Sequence, residues 1–161
     1  MPNPSWCTVA LQLQLRYVHQ HEGLPILPDT PMISIIDDDP LVRDATDELM
    51  RTLGYRAETF ASAEEFLRSD RMNDTACLIT DVQMPGLSGI ELQAALIARG
   101  NKTPMIFLTA FPEERIRRRA LEAGAIGFLS KPFDEDRLIE YLEIALQSRK
   151  GGDTKPEATG D

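Results

Sequence analysis

The sequence predicts an α/β domain on a parallel, doubly wound sheet, and three observations carry that prediction. From Met32 onward, short apolar, β-prone runs alternate with longer stretches of helical period. Glycines close those stretches, with Gly54 as a left-handed cap and Gly100 and Gly124 as stops. Polar side chains stand where the apolar runs end, at Asp37, Asp81, Thr109 and Lys131. In a doubly wound sheet the loops that follow the strands gather at one edge, so these groups are expected to meet there.

Met32 to Ile36 is the first predicted strand. Asp39 and Pro40 pair an N-cap with a first-turn proline and open a helix whose inner face is expected at Val42, Ala45, Leu49 and Leu53. Arg56 to Phe60 is the second strand, and Ser62 with Glu65 forms a capping box for a short helix to about Ser69. The third strand spans Ala76 to Asp81, and the turn Met84-Pro85-Gly86 leads to a helix over Gly89 to Arg99. Pro104 to Thr109 is the fourth strand and Pro112 to Ala123 the fourth helix. A short fifth strand, Ile126 to Leu129, precedes Lys131-Pro132 and a last helix from Asp134 to Ser148, with Leu138, Leu142 and Ala145 inward.

Residues 32 to 148 thus form the expected domain. Residues 149 to 161 are polar, with no apolar face to offset the entropy of ordering, and are expected to be a disordered tail. Residues 1 to 31 carry Pro2, Pro4, Pro25, Pro28 and Pro31 around an alternating stretch at Val9, Leu11, Leu13, Leu15 and Tyr17. They read either as an edge strand or partner-binding segment, or as an extension upstream of a true start at Met32. No output domain is expected after Ser148, and direct control of transcription is therefore not expected.

Composition narrows the function. The chain has 161 residues, with 17 Lys and Arg against 26 Asp and Glu, a net charge of −9 that disfavours broad electrostatic binding to nucleic acid. The two cysteines, Cys7 and Cys77, make neither a disulfide scaffold nor a zinc spacing, which fits a reducing, cytoplasmic compartment. No run approaches the roughly 18 apolar residues of a membrane span. The first fifteen residues lack Lys and Arg, so no signal peptide is expected.

The expected edge gathers Asp37, Asp38 and Asp81, and three carboxylates that close repel by roughly 4 kcal/mol per pair at 4 Å in a medium of effective dielectric about 20. They require a cation. An all-oxygen donor set selects a hard ion, and Mg²⁺ fits because it binds through one or two carboxylates plus phosphate. Lys131 and Thr109 add a point charge and a hydroxyl suited to phosphoryl oxygens. The chemistry suggested is phosphoryl transfer to an aspartate.

Four strings, Ile35-Ile36-Asp37-Asp38-Asp39-Pro40, Thr80-Asp81-Val82-Gln83-Met84-Pro85-Gly86, Leu108-Thr109-Ala110 and Ser130-Lys131-Pro132-Phe133, resemble the receiver domain of bacterial two-component response regulators. The likeness covers residues 32 to 148 and implies a flavodoxin-like fold with five helices and strand order 2-1-3-4-5. It implies that Asp81 accepts phosphorus from a phosphohistidine on a sensor histidine kinase or phosphotransfer protein. Asp38 and Asp81 would bind Mg²⁺ directly, with the Gln83 carbonyl as a third protein ligand and Asp37 acting mainly through a water on the ion. Lys131 and the Thr109-Ala110 segment would bind the phosphoryl group, and the Lys131-Pro132 peptide would be cis. Thr109 would swing inward and Phe128 would move from an exposed to a buried position, although Phe128 reads equally as an ordinary core residue. Downstream protein partners would read that change at the face of the fourth helix, fifth strand and fifth helix. The family's lifetime-tuning positions fall at Gln83 and Phe111.

Two other readings stay open at this point. Asp37 and Asp39 lie two apart after a strand, as in a haloacid-dehalogenase-type phosphohydrolase, but Leu41 stands where that motif wants Thr or Val and Asp81 would have no role. A pseudo-receiver, a binding module that is never phosphorylated, is disfavoured by the intact Asp81 and Lys131. Finally, Arg115, Arg117, Arg118 and Arg119 cluster on the fourth helix while Asp134, Asp136, Glu140 and Glu143 line the fifth. The cluster reads as a solvated mixed surface or as the two halves of a two-fold dimer contact.

Overall fold

A computed structural model describes residues 30–152, with side chains through residue 147. Five strands and five helices alternate: β1 Met32–Ile36, α1 Pro40–Thr52, β2 Arg56–Phe60, α2 Ala63–Arg68, β3 Cys77–Asp81, α3 Gly89–Ala98, β4 Met105–Thr109, α4 Glu114–Glu122, β5 Gly127–Ser130 and α5 Glu135–Gly152. A 3₁₀ turn at Asp70–Asn73 joins α2 to β3. The strands pair in parallel in the order β2-β1-β3-β4-β5, the flavodoxin-like arrangement that the resemblance implied.

β1, β3 and β4 are buried on both faces, the edge strand β2 only in part, and the period of two decides which side chain enters which layer. Ile33, Ile35, Cys77, Ile79, Ile106, Leu108 and Leu129 pack against Leu49, Met50, Leu138 and Leu142 of α1 and α5. Their neighbours Ile36, Leu78, Met105, Phe107 and Phe128 point the other way, onto Phe66, Leu92, Leu96 and Ala120 of α2, α3 and α4. Burial pushes the free Cys77 thiol up to about 12, so this cysteine is a core residue with no thiolate to react at neutral pH.

The helix ends follow their sequence signals. Asp39 caps α1 by accepting from the Leu41 amide at 2.9 Å, with Pro40 in the first turn. Gly54, Gly100 and Gly124 all have positive φ. Ser62 caps α2 through the Glu65 amide, but the Glu65 carboxylate reaches the Ala61 amide, one residue before the position the capping box assigns it. Sequence did not single out Ser88, which makes a complete capping box with Glu91 at the start of α3.

Several expectations are corrected. Ala45 is exposed, and the inner face of α1 is carried by Thr46, Leu49, Met50 and Leu53. Thr46 can turn inward because its hydroxyl donates to the Val42 carbonyl at 2.8 Å and leaves no polar atom unpaired. Helix α4 begins at Glu114 rather than Pro112, after an N-cap, Glu113, that makes no side-chain cap bond. Helix α5 runs to Gly152, past the boundary expected at Ser148; Leu138, Leu142 and Ala145 face inward as expected. The expectations for residues 1 to 29 and 153 to 161 lie outside the described residues. Among the described residues no helix is long and apolar enough to cross a membrane.

Candidate functional site

The site forms where the strands end. Ile36 is in register with Thr80, so Asp37, one residue beyond β1, stands beside Asp81, the last residue of β3. Thr109 closes β4 opposite Ser130, and Lys131 follows β5. Asp37, Asp38 and Asp81 come together with one carboxylate oxygen of each lying within 4.8 Å of the others. Asp37 and Asp81 are buried and Asp38 is exposed, which opens the cluster to solvent on one side.

Lys131 bridges the two buried carboxylates. Its Nζ donates to Asp37 Oδ2 at 2.7 Å and to Asp81 Oδ2 at 3.0 Å. The lysine peptide with Pro132 is cis, as expected, and its backbone amide donates to the Thr109 carbonyl at 2.7 Å. The remaining carboxylate oxygens of the buried pair meet backbone amides: Asp37 Oδ1 accepts from Asp39 at 2.9 Å, and Asp81 Oδ1 accepts from Gln83 at a long 3.3 Å. The three carboxylates and one ammonium leave a net charge of −2 before any ion binds.

That balance sets the titration of the site. Burial pushes the Asp81 carboxyl above its ordinary value; the Lys131 hydrogen bond and charge pull the other way, while the charge of Asp37 adds to the rise. For Lys131, burial lowers the pKa, and the hydrogen bonds and charges of Asp37 and Asp81 overcome it, so the ammonium is held above its ordinary range. A hard divalent cation fits this donor set, which has three carboxylates and neither imidazole nor thiolate. Each carboxylate oxygen offers two lone pairs, so oxygens already bonded to Lys131 can still face an ion.

The other expected site residues divide. Thr109 is buried, and its hydroxyl accepts from the Phe111 amide at 3.1 Å; Ala110 beside it is exposed. Gln83 is exposed in the loop after β3. Phe128 differs from the exposed starting position expected of it. Its ring is already buried, tilted against Phe107 with centroids 6.1 Å apart, because Phe128 falls on the α4 side of β5 where Ala120 and Phe107 leave an apolar slot. Asp39, the second carboxylate that a dehalogenase-type site needs, is occupied in capping α1.

Three contributors escaped the sequence reading. Arg43 of α1 donates from Nη1 to the Asp37 carbonyl at 2.7 Å and fixes the loop that presents Asp37 and Asp38. Gly89 lets α3 start against the Asp81 backbone: a Cβ there would lie 2.2 Å from the Asp81 carbonyl oxygen and 3.2 Å from the Phe107 ring. Glu64 of α2 accepts from the Leu87 amide at 2.6 Å. A glycine in the first turn of an apolar helix was the one available signal, since intrinsic propensity alone does not favour it there.

Known proteins resemble the chain along this same region. The sequence model of the response regulator receiver domain matches residues 33–143. Response regulator protein TodT of Pseudomonas putida is 37% identical over 116 residues, which are 72% of this chain and 51% of TodT. Transcriptional regulatory protein FixJ of Bradyrhizobium diazoefficiens is 35% identical over 115 residues, 71% of this chain and 56% of FixJ. Among solved structures, the response regulator StyR superposes with a TM-score of 0.71 at 40% identity, covering 78% of this chain and 65% of StyR. The chain thus spans about half the length of the curated relatives it matches.

Proposed function

The chain belongs to the response regulator receiver domain family, and from that premise we propose that Asp81 accepts a phosphoryl group from a phosphohistidine of a sensor histidine kinase or phosphotransfer protein. A receiver domain is a phosphorylation-dependent signalling switch, a phosphoacceptor rather than an enzyme with a turned-over substrate. One observation supports the assignment above all: Asp37, Asp38 and Asp81 converge within 4.8 Å while Lys131 bridges the two that are buried.

The chemistry follows from what each group can do. A carboxylate oxygen of Asp81 attacks phosphorus, the new P–O bond forms as the P–N bond to the imidazole breaks, and the imidazole leaves with a proton from solvent. Lys131, already hydrogen-bonded to Asp81, moves its charge onto the arriving phosphoryl oxygens, and the Thr109 hydroxyl turns from the Phe111 amide to donate to one of them. Ala110, exposed next to Thr109, offers its backbone to the same group. Mg²⁺ is the cation proposed for Asp38, Asp81 and the Gln83 carbonyl, with Asp37 acting through a water on the ion; bound there, it supplies charge neutralisation to the transferring group.

The added charge of about −1.5 to −2 is what turns uptake into a signal. Withdrawal of Thr109 and Lys131 toward the phosphoryl group changes the support of β5, and Phe128 is the proposed reporter of that change. Because its ring starts in a slot against Phe107, the switch is proposed as a repacking of a buried ring, read at the face of α4, β5 and α5 by a downstream protein partner in the cytoplasm.

Incubation with Mg²⁺ and acetyl phosphate tests the proposal. Intact mass is expected to show one acid-stable, base-labile phosphoryl adduct that does not form when EDTA removes the ion. An unmodified chain in Mg²⁺ contradicts it.

A second copy of the chain is a proposed partner of the α4, β5, α5 face. Arg115, Arg117, Arg118 and Arg119 are exposed on α4, and Asp136, Glu140 and Glu143 are exposed on α5. A two-fold axis sets one copy's basic helix on the other's acidic one. Sedimentation of the phosphorylated protein is expected to show dimer that dissociates as salt is raised; monomer alone at low salt removes this contact.

A further inference from the structure

The loop between β3 and α3, residues 82–88, follows Asp81 directly and carries Gln83. Its two ends are tied locally, by the Gln83 amide on Asp81 Oδ1 and by the Gly89 amide on the Val82 carbonyl at 2.9 Å. Close to its far end it hangs on a different element. The Leu87 amide donates to Glu64 Oε1 at 2.6 Å, a bond that crosses 23 residues of sequence to the first turn of α2.

Gly86 also comes close to that carboxylate, with φ +78°, and a Cβ on Gly86 would stand 2.6 Å from Glu64 Oε1. An acid in a first turn is commonly explained by the helix dipole alone. A dipole gives no reason for the loop of another element to fold under the carboxylate and donate to it. The Glu64 carboxyl is held below its ordinary range, first by the Leu87 amide and then by its own backbone amide, so it is ionised at neutral pH.

We infer that Glu64 is a positioning residue for the acidic pocket: by holding the Leu87 amide it fixes the loop that carries Gln83, and so the approach of the Gln83 carbonyl to a divalent cation on Asp38 and Asp81. The inference rests on the cation reading of the pocket given above. Loss of an outer partner that orients a ligand lowers metal affinity by about tenfold or more.

Two variants of the full chain separate the hydrogen bond from the charge. Glu64→Ala removes both, whereas Glu64→Gln removes the charge and keeps an oxygen that accepts from Leu87. Mg²⁺ affinity is read by calorimetry, and exchange of the Leu87 amide by NMR without Mg²⁺. Glu64→Ala is expected to weaken Mg²⁺ binding about tenfold and to expose the Leu87 amide to exchange, with Glu64→Gln close to wild type in both. Equal weakening in the two variants, weakening with Leu87 still protected, or wild-type affinity in Glu64→Ala overturns the inference while the cation reading stands. A wild-type protein that takes up no Mg²⁺ overturns the cation reading and the inference with it.

Discussion

Asp81→Asn protein is expected to take up no phosphoryl group from acetyl phosphate in Mg²⁺, under conditions that convert the wild type to a single adduct. A carboxamide oxygen lacks the charge that makes the carboxylate a nucleophile. The neighbours do not replace it: Asp37 is held between Lys131 and the Asp39 amide, and Asp38 lies at the exposed margin of the cluster. Loss of uptake without loss of fold is expected, because burial already favours the uncharged form at this position. Intact mass and far-UV dichroism on the same sample check both halves. A variant that still gains a phosphoryl group places the nucleophile elsewhere.

Lys131→Met is the second large effect, and it falls on stability as well as uptake. The lysine is 14% exposed and its partners Asp37 and Asp81 are 3% and 10% exposed at the side chain, so methionine leaves two close carboxylates without a cation. Breaking a buried pair by removing one partner costs about 3 kcal/mol. In a domain of this size that lowers the melting temperature by roughly 10 °C. The pH dependence has a definite sign. A carboxyl raised in the folded state binds more protons folded than unfolded, so stability falls as pH climbs from its ordinary value, 3.8, to its folded value, and is level above that. Without the lysine to oppose the effect of burial, that falling window extends to higher pH. Mg²⁺ is expected to recover part of the loss, since a dication can stand in for the missing charge; thermal melts across pH, with and without Mg²⁺, measure all three features. A variant as stable as wild type at every pH contradicts the arrangement.

β1, β3 and β4 were legible because each is a short, mostly apolar run buried on both faces, and because the polar residues that end the strands contrast with those layers. That same contrast marked Asp37, Asp81, Thr109 and Lys131, and the parallel topology then left them one edge to occupy. The inner face of α1 was less legible. Thr46 looks like a surface residue until its hydroxyl is seen to bond back to Val42, while Ala45, the apolar neighbour, is free to face solvent. Phe128 admitted two readings, an ordinary core residue or a switch position that starts exposed, and the period of β5 sends it inward against Phe107. Glu64 and Arg43 were invisible for a different reason, and Gly89 showed only as a glycine in the first turn of an apolar helix. Each acts through a backbone atom of another segment, on Leu87, Asp37 and Asp81, and a backbone partner leaves no residue type in the sequence to pair with.

The position of the captured phosphorus is the most direct measurement of the central claim. Wild-type protein phosphorylated in Mg²⁺ is reduced with borohydride, which converts an acyl phosphate to the alcohol, and its peptides are sequenced by mass. The account predicts homoserine at position 81 and unmodified aspartate at 37 and 38. Homoserine at 37 or 38, or at none of the three in protein shown to carry phosphorus, contradicts it.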